Sequence, residues 1–327
     1  MTVIDFHTHF VQPEVVARSA PHSVLTGFGA RPFEPPPASS MRGKQTALMA
    51  DPMAVLADME ARGVDVHVLS ASTVVQPIGW TDATEQAELA RKTNDEAARW
   101  VDVAPRRFVG SFTLPLGDVD LALIELERAN SQLGLRVANL PAQAQGEYLG
   151  APRYWPIWEA LADRGIVALF HPDGIRDPWF QQYSLWNSVG QPIEEAKLMA
   201  SLILEGVLDR FEGVPIVVSH GGGYLPHYFG RLDRNVTNMP DSVRNISGRP
   251  SDYLRRMYYD TCVYDTSILK ALKERVGASR LIMGSDYPVG DDDPVAVVDA
   301  IDALTQAESE SIKGGTAERL LGLQPGS

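Results

Sequence analysis

The chain has 327 residues, 44% of them hydrophobic and 22% charged, which is an ordinary globular composition with ample material for the core of one large domain. Its net charge of −13 argues against nucleic acid and anionic membrane surfaces as partners. A single cysteine, Cys262, excludes an intrachain disulfide and a thiolate metal site, and fits a reducing cytoplasm.

The first ten residues carry neither the basic n-region nor the long apolar h-region of a signal peptide. No run reaches the roughly 18 apolar residues of a spanning helix. A cytoplasmic enzyme without membrane segments is the expectation.

Short apolar runs recur along the chain. TVIDF (2–6) is the first, and VDVHVLS (64–70) follows the periodic stretch PMAVLADMEARG. RFVGSFTLP (107–115), LRVANLP (135–141), GIVALFHP (165–172) and VPIVVSHGGG (214–223) each follow an amphipathic segment. MYYDTCVY (257–264) follows a polar loop and SDYLRR, and RLIMGSDYP (280–288) closes the series. Gly63, Gly134 and Gly165 sit where helix C-caps belong. Eight β-like runs alternating with helices predict a single-domain (β/α)8 barrel over 1–327.

Two stretches break the repeat. Residues 11–50, with PFEPPPASS, read as a flap inserted after strand one. Residues 173–190, DGIRDPWFQQYSLWNSVG, read as a long loop after strand five. Its Trp179, Phe180, Tyr183 and Trp186 either wall a pocket or cover the barrel end.

The polar residues gather at strand ends. His7 and His9 close the first run, two residues apart and therefore on one face. His171 ends the fifth run, His220 the sixth, and Asp286 the eighth. In a barrel these carboxyl ends surround one mouth, where barrel enzymes keep their active sites. Imidazole and carboxylate suit zinc and similar dications, and such an ion lowers the pKa of bound water from about 15.7 to near 7. HxH alone is weak evidence, because one or two histidines at a strand end are often structural. Five such residues at predicted strand ends are not readily explained that way. His22, His67 and His227 read as structural or surface residues. The tetrapeptide HGGG (220–223) occurs in serine esterases, but no G-x-S-x-G elbow accompanies it here. GDDDP (290–294) reads as a helix-starting loop rather than a second metal site.

With DFHTHF, PRRFVGSFTLP, LFHP, the block from GVLDRFEGVPIVVSHGGG to GRLDR, and GSDYP in view, the chain resembles the amidohydrolase superfamily. The likeness is to its amidohydrolase-2 branch, and within that to the α-amino-β-carboxymuconate-ε-semialdehyde decarboxylase group. It runs from IDFHTH to RLLGL. The resemblance implies one divalent ion, zinc first and manganese second, on His7, His9, His171 and Asp286. It makes His220 the general base. It also implies arginines for substrate carboxylates: Arg231, reaching a neighbouring subunit's site in a homodimer, and Arg42 on the flap. The aromatic loop departs from the group, with Ser184 where a tryptophan is expected and Trp186 nearby. Asn139 at the fourth strand end, in place of a lysine, argues for one ion rather than two.

The function that follows is a metal-dependent, non-oxidative decarboxylase of a small unsaturated or aromatic carboxylic acid, with His220 and Asp286 as proton carriers. The alternative is a hydrolase or hydratase of a small lactone, amide or unsaturated acid at the same site.

Overall fold

The computed structural model describes residues 1–323 except 77, 78, 292 and 303. Every predicted run contains a strand: Ile4–Phe10, Val66–Ala71, Phe108–Val109 continued by Ser111–Phe112, Val137–Leu140, Val167–Phe170, Ile216–Val218, Tyr258–Asp260 and Leu281–Ile282. We number these strands one to eight, counting 108–112 as one. Neighbours pair in parallel from strand one through strand three and from 111–112 through strand eight. The ring closes where Phe6 N donates to Met283 O (2.9 Å), His9 N to Tyr287 O (2.8 Å) and Tyr287 N to His7 O (3.2 Å).

Alternation along each strand sorts the side chains between two cores. Ile4, Phe6, Val66, Val68, Val137, Val167, Leu169, Val217 and Ile282 fill the barrel interior. Leu69, Phe108, Phe112, Ala138, Leu140, Ala168, Phe170, Ile216 and Val218 face the surrounding helices. Ala317 and Leu321, from helix Thr316–Leu321, join the interior cluster and plug the barrel floor. The same two-residue period that puts Val167 and Leu169 inside carries His171 inside above them.

Strand one is irregular. Its pairing jumps from Asp5 opposite His67 to Thr8 opposite Leu69, so an extra residue is accommodated. His7 N turns to the side chain of Asp5 (Oδ1, 3.1 Å). The bulge lets Phe6 stay in the apolar layer while His7 and His9 both enter the polar layer above it. Spacing alone accounts for the two histidines sharing a face, but not for Phe6 sharing it too.

The two long connections lean on each other. Segment 11–50 holds helices Pro13–Ser19 and Met41–Leu48. Its Arg31 donates to Gln181 Oε1 (3.2 Å), and the Arg176 guanidinium lies 4.2 Å from the Phe28 ring centroid. Gln45 Nε2 ties the second helix to Pro288 O (3.1 Å), just beyond Asp286. In the second connection, Trp179 and Tyr183 are 55% and 89% exposed, and Trp179 stands edge-on to Phe180. Trp186 is half-buried, with its backbone and ring edge against Gly174. Asp293 caps helix Pro294–Asp299 through Ala296 N (2.9 Å), as a helix-starting loop should; Asp292 of that run lies outside the described residues. No helix among the described residues is long and apolar enough to cross a membrane.

Candidate metal centre

Five residues from four strands and their ends meet at the barrel mouth. The imidazole rings of His7, His9 and His171 stand 4.7–5.1 Å apart, centroid to centroid. His220 lies 5.2 Å from His7 and 5.1 Å from His171. His7, His171, His220 and Asp286 each offer one ligand atom, and these atoms lie within 4.8 Å of one another. His9 Nε2 is 2.8 Å from Asp286 Oδ1.

The approach to Asp286 is divided between its two oxygens. Nε2 of His7, His9 and His171 faces Oδ1 at 3.2, 2.8 and 3.9 Å. Nε2 of His220 faces Oδ2 at 3.8 Å. Tyr264 Oη also lies 3.4 Å from Oδ2. Asp286 reaches this position on a left-handed turn (φ +61°), pinned by Val289 N and Gly290 N donating to its carbonyl.

Behind the rings stand partners that the sequence does not single out. Asp260 Oδ2 is 2.7 Å from His7 Nδ1, and its Oδ1 accepts from Gly221 N and Cys262 N. Ser70 Oγ is 3.2 Å from His9 Nδ1. Glu195 Oε1, from helix Gln191–Leu204, is 2.5 Å from His220 Nδ1. Partners of this kind orient imidazoles around a metal and fix which nitrogen carries the proton. Asp260 ends strand seven and could have been sought there; Glu195 lies in a helix, 25 residues before His220, with no motif to mark it.

The protonation states of His9, His171 and Asp286 fit cation binding. Burial, reinforced by the other three imidazoles, holds His171 well below its ordinary pKa, so it is neutral with a lone pair to give. Burial also lowers His9. Burial alone raises Asp286, but His7 and the hydrogen bonds around it hold the carboxyl well below the usual range. Burial pulls His7 down, yet Asp286 and Asp260 outweigh it and push it up to about 9; a dication would displace that proton. Burial lifts Glu195 to about 7 against the pull of His220.

The donor set passes a direct test. His7 Nε2 and both ring nitrogens of His171 are buried without a hydrogen-bond partner among the described residues. Buried polar atoms are ordinarily satisfied, and a cation at the Nε2 atoms would satisfy them. The residues therefore fit a divalent ion.

A family model described as amidohydrolase matches residues 4–323. The chain belongs to the amidohydrolase family. Among its relatives is 2-amino-3-carboxymuconate-6-semialdehyde decarboxylase of Dictyostelium discoideum, 29% identical over 84% of this chain and 77% of that protein. Another is the 2-keto-4-carboxy-3-hexenedioate hydratase of a Sphingobium strain, 24% identical over 97% of this chain and 95% of that one. The crystal structure of 5-carboxyvanillate decarboxylase from Sphingomonas paucimobilis superposes with a TM-score of 0.86, at 26% identity, over 99% of both chains. The amidohydrolase fold is thus a (β/α)8 barrel here as in that structure.

Arg231 and Arg42 make no hydrogen bond or ion pair with the residues of the centre. Both are exposed, and neither side chain makes one with any other described residue. Arg231 lies on helix Gly230–Asn238, none of whose residues is buried. His67 is wholly buried on the outer side of strand two, 5.0 Å from the Tyr287 ring, and belongs to the packing rather than the centre.

Proposed function

We propose that this amidohydrolase is a cytoplasmic, metal-dependent, non-oxidative decarboxylase of a small aromatic or unsaturated carboxylic acid. The observation that carries this reading is the convergence of three imidazole Nε2 atoms on one oxygen of Asp286, with a fourth imidazole on the other oxygen. That division supports His7, His9, His171 and Asp286 as ligands of one ion, and His220 as the proton-handling group beside it.

The ion, zinc by its nitrogen and oxygen donors with manganese as the second choice, supplies Lewis-acid charge for the substrate's carboxylate and a neighbouring oxygen. His220 would take a proton from solvent at Nε2 and pass it to the carbon that bears the carboxylate, with Asp286 as the second carrier. Once that carbon–hydrogen bond forms, the bond to the carboxylate breaks, CO2 leaves, and its electron pair returns to the ring or conjugated system. Delivery of the proton returns His220 to its resting state, with Nε2 free to take up the next one. Trp186, packed at the start of the strand-five connection, walls the acid.

Arg231 and Arg42 would grip the acid's carboxylates with paired N–H donors. For Arg231 this requires a second copy, and the exposed Tyr228, Val236 and Met239 beside it support a homodimer. Analytical ultracentrifugation tests this: a monomer at micromolar concentration removes Arg231 from the site.

The hydratase relative favours one second reading, addition of water to an unsaturated acid at the same centre, with hydrolysis of a lactone or amide as its chemical neighbour. Product analysis separates the two. Released CO2 with no gain of water supports decarboxylation; oxygen-18 from solvent in the product, with no CO2, overturns it.

A further inference from the structure

We infer that Glu195 is a positioning residue: its carboxylate holds His220 with the proton on Nδ1, so that Nε2 presents its lone pair to the reaction centre. The Nδ1–Oε1 distance is 2.5 Å, and Glu195 is wholly buried. Its second oxygen, Oε2, has no hydrogen-bond partner among the described residues, so the carboxylate is committed to this one imidazole. A neutral imidazole that donates from Nδ1 must accept at Nε2, and Nε2 is the nitrogen that faces Asp286.

The backbone opposite is shaped to admit the glutamate. A Cβ on Gly223 would lie 2.9 Å from Glu195 Oε2 and 2.3 Å from Pro192 O. Gly223 also adopts φ +61°, ψ −133°, a conformation open essentially to glycine alone. The third glycine of HGGG is thus the room into which helix Gln191–Leu204 brings its carboxylate. No other role for that glycine is needed.

The tautomer stands independently of the reaction; its catalytic consequence rests on the decarboxylase reading. The test uses zinc-loaded protein labelled with nitrogen-15 histidine, with H220N to assign the His220 signals. Wild-type His220 shows a protonated Nδ1 and an unprotonated Nε2. E195L, of similar volume, loses that pattern and shows mixed tautomers, while E195Q, which still accepts at its amide oxygen, keeps it. The signals of the other six histidines report folding. Where E195L does not fold, E195D withdraws the carboxylate by one methylene and carries the same expectation. G223A, which crowds Oε2, shifts His220 in the same sense. His220 signals identical to wild type in the folded E195L or E195D protein overturn the proposal.

Turnover on a panel of small aromatic and unsaturated carboxylic acids supplies the second arm. E195L lowers kcat at least tenfold with KM within twofold, and E195Q recovers part of the loss. If wild type releases CO2 from none of the panel, the decarboxylase reading fails, and the nitrogen-15 spectra still decide the role of Glu195.

Discussion

His7 Nδ1 lies 2.7 Å from Asp260 Oδ2, both side chains buried, while His7 Nε2 points at Asp286. Asp260 therefore settles which nitrogen of His7 carries the proton and which is left for a cation. The change D260N keeps the shape and removes the charge. Metal affinity should fall by about 10–100-fold, the usual cost of losing such a partner. Chelator competition measures it, and an unchanged affinity rules out the orienting role.

The ligand assignment separates two histidines that lie equally close to the cluster. H171A is expected to lose the ion, because neither nitrogen of His171 has a hydrogen-bond partner among the described residues and a cation would supply one. H220N is expected to retain the ion and lose turnover by about 10²–10⁴-fold, the range for a general acid–base group. Elemental analysis of the two purified proteins is decisive: metal retained in H171A, or lost in H220N, reverses the assignment.

Gly290 guards the position of Asp286. A Cβ there would stand 2.0 Å from Ser285 O and 2.7 Å from Asp286 Cβ. G290A should cost about 1–3 kcal/mol by overpacking and push the carboxylate out of reach of the imidazoles. A lower Tm together with weaker metal binding is the expected pair of results. Wild-type values for both would show that the turn yields without moving Asp286.

Acid stability should carry the signature of His67. Burial, helped by Arg62 and Arg107, pulls this imidazole down to about 3. The unfolded chain protonates it near 6.5. Between those values the unfolded state binds a proton that the folded state refuses, so stability drains away as pH falls through that window. H67F removes this sensitivity. From pH 7.5 to 4.5 the variant should gain about 2–3 kcal/mol on wild type. Urea unfolding with chelator present in both proteins checks this, and parallel pH profiles refute it.

Much of this molecule is legible in its residues, and the reasons for the gaps are physical. Strands show as apolar runs because their side chains are buried on both faces, and the histidines show because they interrupt those runs at the carboxyl ends. The bulge in strand one is silent, since inserting one residue changes register without changing composition. Glu195 is silent because a helix of ordinary amphipathic pattern, QPIEEAKLMASLIL, buries one carboxylate among several. The fates of Trp179 and Tyr183 are hidden as well, because an aromatic side chain in a loop has no periodicity to say which way it faces. HGGG advertises a tight turn, but not the side chain that the turn makes way for.

The embrace between the two connections that leave strands one and five has a practical consequence. Arg176 rests on Phe28 and Gln181 meets Arg31, so part of each segment's surface is fitted to the other. Transplanting one of them from a relative to retarget the enzyme would leave its counterpart moulded to a neighbour that is gone. On the proposed reading both stretches border the acid, and redesign must exchange them together.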